Sequence, residues 1–124
     1  MTSTAQDLVL QHWQHANQRD WPAFAALLSP DLVYEVPQTR ERVRGAANYL
    51  EFFKTWPGAW RADVVQLVAD SERAASTIAF VTEQGQETGI SFFEVSGGLI
   101  TRITDYWPAP YDPPPRMTAC VERY

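Results

Sequence analysis

A chain of 124 residues with 45% hydrophobic and 13% aromatic side chains, five of them Trp, has material for one core that takes roughly two thirds of its surface from water; this excludes wholesale disorder and argues against two domains. A formal net charge of −5, with ten Lys and Arg against fifteen Asp and Glu and no stripe of cations, excludes nucleic acid and anionic membrane as partners. The one Cys, Cys120, has no internal disulfide partner and no activating His beside it. No window reaches the roughly 18 apolar residues that span a bilayer, and Met1 to Asp7 lack a basic patch followed by an apolar run, so a soluble cytoplasmic protein is expected.

From Ala5 to Asn17 the positions Leu8, Val9, Trp13 and Ala16 recur at helical spacing, with Ser3 or Thr4 as the cap. Asp20 before Trp21-Pro22 starts a second, short helix that runs through Phe24, Leu27 and Leu28 until Ser29-Pro30 stops it. Leu32 to Val36 reads as a short strand closed by Pro37, and Gln38 to Arg44 as a polar loop. After Gly45 a third helix carries Tyr49, Leu50, Phe52 and Phe53 to Pro57-Gly58.

Beyond Trp60 the helical period is lost. β-Branched and aromatic residues fill Val64 to Val68, Thr77 to Thr82, Ile90 to Val95 and Leu99 to Trp107, with breaks short enough for hairpins. Four strands in an antiparallel meander follow, with three helices on one face. Five of the nine prolines lie from Pro108 onward, so residues 108–124 form an extended arm on a single domain whose core is 1–107. No phosphate loop, metal-ligand spacing or nucleophile elbow occurs, so neither metal nor cofactor is implied.

Several residues in this frame carry chemistry. His12, one turn after Leu8, could turn into a cavity as donor or base, or rest as a partly exposed helix histidine, while His15 reads as solvent-facing. Tyr34 and Val36 share one strand face, opposite Val33 and Glu35, and Tyr34 could offer its hydroxyl to a ligand carbonyl or satisfy it at the rim. Glu35 has Arg40, Arg42 and Arg44 within reach as ion-pair partners. Trp56, Trp60 and Trp107 could surround an apolar ligand or simply pack. Val64, Val68, Phe92 and Ile100 fall on outward strand faces, and a homodimer through the outer sheet face would cover them.

This element order, with Arg44-Gly45 opening the third helix, Phe92-Phe93-Glu94-Val95 before a Gly turn and Ile103-Thr104-Asp105-Tyr106-Trp107 in the last strand, resembles the nuclear transport factor 2-like superfamily, and within it the SnoaL-like branch. The resemblance implies an α+β fold, a cone-shaped α+β barrel whose three N-terminal helices pack on a curved, mostly antiparallel sheet enclosing a pocket. It covers the chain up to Trp107. Relatives include ketosteroid isomerases, polyketide cyclases, epoxide hydrolases, dehydratases and non-catalytic binding domains, so it marks a fold and not an activity.

In similar proteins the face holding Ile103, Asp105 and Trp107 looks into the pocket, and Asp105 falls where polyketide cyclases of this type hold their carboxylate. The position of the isomerases' carboxylate base is Val36. Their acidic donor falls on or near Ser91, and their helix Tyr on or near His12. The hydrolases' Asp, Arg, Asp constellation is not matched, since Arg61 and Asp63 share a face near a strand start. Walled by Trp107, Phe93 and Tyr34, the Asp105 carboxylate would lose hydration and become a better proton acceptor; alternatively it pairs with an Arg or a backbone donor near the rim. The expected function is acid/base chemistry by Asp105 on a small apolar carbonyl compound, with Tyr34, His12 or Ser91 polarising an oxygen. The alternative is a non-catalytic pocket for a small apolar molecule.

Overall fold

The structure, a computed structural model, describes residues 4–124. Helix α1 spans Ala5–Gln18, and Thr4 caps it through a reciprocal box in which Thr4 accepts from the Asp7 N–H and the Asp7 carboxylate accepts from the Thr4 N–H. Ser3, the other cap considered, lies outside the described residues. Leu8, Val9, His12, Trp13 and Ala16 make its buried stripe. The helix ends at Arg19, a non-Gly residue at φ 59. The Arg19 guanidinium donates to the Trp60 carbonyl and lies 3.9 Å above the Trp60 ring centre. Two residues earlier, the Asn17 side-chain amide bonds both backbone groups of Ala62, at 2.7 and 2.8 Å.

Helix α2, Trp21–Ala25, is capped by Asp20 as expected but stops before Leu27. The reason is a tertiary bond that the helical period cannot show: the Leu27 carbonyl accepts from the Ile100 N–H, committing the chain to a strand. Strand β1 accordingly runs Leu28–Val36, four residues earlier than its β-rich part. Its register against the last strand slips between Leu28 and Val33, and Pro30, which has no N–H to give, sits in that irregular stretch.

The polar segment read as a loop contains a strand. After a turn in which Arg40 adopts φ 60, β2 spans Glu41–Arg44 and pairs antiparallel with β1, Val36 opposite Glu41. Gly45, at φ 89, then turns the chain into α3, Ala46–Lys54. Its N–H meets the Leu32 carbonyl at 2.7 Å, and a side chain at that φ would be strained.

The meander follows as β3 Trp60–Ala69, β4 Arg73–Thr82, β5 Gly85–Ser96 and β6 Leu99–Tyr106, each antiparallel to the next and mostly longer than its β-rich centre suggested. The sheet order is β2-β1-β6-β5-β4-β3, and β1 joins β6 in parallel, which leaves β2 and β3 as the two edges. Helix α1 packs across β3, β4 and β5, and α3 across β1. The result is the cone-shaped α+β architecture, mostly antiparallel, with the sheet left open.

Two side-chain directions differ from the alternation pattern: Val64 stands opposite the buried Ile78, on the inner side, because a bulge between Val64 and Gln66 separates it from Val68. Ile100 is fully buried and not outward, because a bulge where Glu94 and Val95 face Arg102 and Ile100 adds one residue to β6 and reverses its facing. Val64, Val65, Val68 and Phe92 remain exposed on the sheet. The arm from Trp107 to Tyr124 has no helix or strand and exposes Tyr111, Met117 and Tyr124. Among the described residues no helix is long and apolar enough to cross a membrane.

Candidate functional site

Between α3 and the inner sheet face lies a cavity of about 400 Å³. Strand alternation delivers its floor: Tyr34 and Val36 from β1, Asp105 from β6, and Ile78 and Phe80 from β4. Phe52, Phe53 and Trp56 close it from α3 and the turn after, and Trp60 and Trp107 complete an aromatic wall in which Phe80 meets Trp56, Trp60 and Trp107 at ring-centre distances of 6.1, 5.7 and 5.5 Å. Trp107 can lie there because Gly89 is beneath it: a Cβ at 89 would come within 3.0 Å of the indole. Gln38 holds the Trp107 backbone from the other side, its amide donating to the Trp107 carbonyl at 3.2 Å and its oxygen accepting from the Trp107 N–H.

Asp105 is the buried acid of this cavity. The Tyr34 hydroxyl donates to its Oδ2 at 2.7 Å, and Oδ1 has no protein partner. Burial pushes the carboxyl up to about 6, while the Ser91 hydroxyl, next to it across the β5–β6 ladder, and the Tyr34 hydroxyl pull it back down. The Tyr34 phenol is itself driven far up by burial and by the Asp105 charge, so it stays a donor at any ordinary pH.

His12 does not line the cavity. It lies in the core with no exposure, edge-on to Trp13, Phe53 and Phe93, and its Nε2 shares a hydrogen bond of 2.8 Å with the Tyr49 hydroxyl. Burial lowers it to about 3, so it is a neutral ring there and not a base. Its reach to the site is indirect, because Tyr49 packs on Tyr34 with ring centres 5.1 Å apart. Ser91 and Phe93 are likewise buried behind the wall, Ser91 against Asp105 and Phe93 against His12 and Trp13. His15 is half-buried, not solvent-facing, because its turn of α1 packs on the sheet.

The structure therefore gathers Tyr34, Val36, Trp56, Asp105 and Trp107 at one cavity and sets His12, Ser91 and Phe93 one layer back. It also adds Glu41 and Thr39 at the mouth. Glu35 points outward, bonded by Arg42 at 2.9 Å and by Arg102. Arg61 and Asp63 form a surface pair. Among the described residues no three His, Cys, Asp or Glu side chains group closely enough to hold a metal.

Residues 9–103 match the family model of the SnoaL-like domain. No curated protein matches the chain significantly. Among crystal structures, a candidate ketosteroid isomerase from Kribbella flavida is 41% identical, with 100% of this chain and 93% of that one covered at a TM-score of 0.91. A candidate polyketide cyclase from Pseudomonas putida is 29% identical, covering 86% and 92% at 0.70. An epoxide hydrolase of the LEH-like type from M. tuberculosis is 25% identical, covering 86% and 84% at 0.73.

Proposed function

The chain belongs to the SnoaL-like domain family, and from that premise we propose that it is a cofactor-independent acid/base enzyme in which Asp105 moves a proton on a small apolar carbonyl compound. The observation that carries this reading is the half-satisfied carboxylate: a buried acid in the lining of the cavity, held by Tyr34 through Oδ2 and with no hydrogen-bond partner at Oδ1. A base with a pKa of about 6 is ionised at neutral pH yet close enough to it to return the proton.

The walls narrow the reaction class. Val36 removes the isomerase-type base, and no Arg, Lys or His lines the cavity to steady a developing oxyanion. A weak carbon acid would then be too hard to ionise. The substrate class that suits is an activated one, a methylene flanked by two carbonyls whose anion spreads its own charge, which favours cyclase or aldol-type chemistry over steroid isomerisation. Epoxide opening is disfavoured by the missing Arg.

The test is exchange of deuterium from D2O into an aryl 1,3-diketone, followed by NMR. Exchange well above buffer is the expected result, and none above buffer would sink the reading. The rate should fall as pH drops through about 6, where Asp105 takes a proton. Tyr34→Phe removes a hydrogen bond that favours the charged carboxylate, so it should move that inflection upward. An unmoved inflection would separate Tyr34 from Asp105.

We also propose that the chain pairs with a second copy through the outer sheet face, where Val68 and Phe92 share one side and are 69% and 48% exposed. Light scattering should find a dimer that Phe92→Glu with Val68→Glu converts to monomer; a monomeric wild type would refute it.

A further inference from the structure

The charge on the cavity wall is one-sided. Asp105 is at the floor and Glu41 at the mouth, and no cationic side chain faces either across the space. Among the described residues no ion pair engages Glu41. Its neighbour Arg42 is engaged by Glu35. The β1–β2 register explains the placement, since Glu41 lies opposite Val36, the last residue of β1 and itself part of the cavity.

Aromatic rings line the same cavity as the two carboxylates. Trp56, 44% exposed, is at the mouth, in edge contact with Phe52 and Phe80, and Trp60 stacks on Phe80 behind it. Ring faces carry partial negative charge and attract organic cations. Trp60 shows the effect within the chain, with the Arg19 guanidinium 3.9 Å from its ring centre. A carboxylate or phosphate entering this cavity would meet two acids and no donor of positive charge.

We propose that the ligand is a lipophilic organic cation: an apolar skeleton directed at Asp105 that carries an alkylated ammonium group, held at the mouth between the Trp56 ring and the Glu41 carboxylate. This deepens the reading of the same cavity as the substrate site, and it adds a charge preference that the acid/base chemistry does not require. Asp105, at the far end, adds a second acid to the lining of the same space.

The experiment uses two probes of one shape, phenyltrimethylammonium and tert-butylbenzene, with benzoate as the anion, titrated against the full chain by tryptophan fluorescence and NMR. The cation should bind about ten-fold more tightly than its neutral isostere, and benzoate most weakly. Glu41→Gln, at an exposed rim position, should cut the preference for the cation roughly three-fold and leave tert-butylbenzene unchanged, with added salt acting in the same direction. Equal affinity for cation and isostere, tightest binding of benzoate, no binding of the cation, or an unchanged preference in Glu41→Gln would each overturn the inference. If diketone exchange fails while this order of affinities holds, the acid/base reading falls and the inference stands; the reverse result separates them the other way.

Discussion

Asp105→Asn should lower the rate of diketone deuterium exchange by about 10² to 10⁴, the usual range for losing a positioned general base. The substitution keeps shape and keeps an oxygen for the Tyr34 hydroxyl to reach, so the cavity should still bind ligand with little change in affinity. Exchange rate and affinity therefore separate, which is the mark of a group that acts in the transition state and not in binding. The remaining rate should also lose its dependence on pH near 6. A variant that keeps most of its rate would mean that Asp105 is a structural acid.

The second large effect is on stability, and it has two signs. Asp105 holds its proton more tightly folded, at about 6, than at the ordinary value of 3.8, so its charge at pH 7 costs up to about 3 kcal/mol at about 1.4 kcal/mol per pKa unit. That cost is relieved as pH falls from about 6 to 3.8. His12 runs the other way: its ordinary value of 6.5 falls to about 3 on folding, so the stability of keeping it neutral is whole above 6.5 and is lost as pH falls toward 3. Between pH 6 and 4 the two nearly cancel.

Wild-type thermal stability should thus be almost level over that window and drop below it. Asp105→Asn should be more stable than wild type at pH 7, by on the order of 10 °C in Tm, should decline steadily below pH 6.5, and should meet the wild-type curve near pH 4. Background titration of Glu35 and Asp70 is common to both proteins and drops out of the comparison. Thermal melts across pH 3.5 to 8 decide it, and a variant less stable than wild type at pH 7 would contradict the burial cost assigned to Asp105. Together the two results would mean that this carboxylate is kept at the expense of stability because it reacts.

Much of this was readable from residue spacing. The alternation of β6 set Ile103, Asp105 and Trp107 on one side, and that of β1 did the same for Tyr34 and Val36, because period two survives any tertiary detail short of a bulge. Bulges in β3 and β6 are where that logic failed, for Val64 and for Ile100. Glu41 was invisible because β2 is four residues long, polar, and mostly exposed, so it has no apolar period to betray a strand, and Thr39 lies in the turn that leads into it. His12 lay on the right helix face, but its depth depends on rings from Phe24, Tyr49, Phe53 and Phe93 that close around it only in three dimensions. The end of α2 was set by a bond from Leu27 to Ile100, 73 positions later along the chain by their numbering, which no local propensity contains.

The amide of Asn17 and the guanidinium of Arg19 do more than fasten α1. Strand β3 ends the sheet, and the backbone groups that Trp60 and Ala62 turn away from β4 are those that another chain's strand would seize. Asn17 occupies both groups of Ala62 and Arg19 the carbonyl of Trp60, so the helix end works as a false neighbour strand two rungs long. An open sheet keeps its margins, and here the rungs beside the cavity are sealed against growth into a fibre.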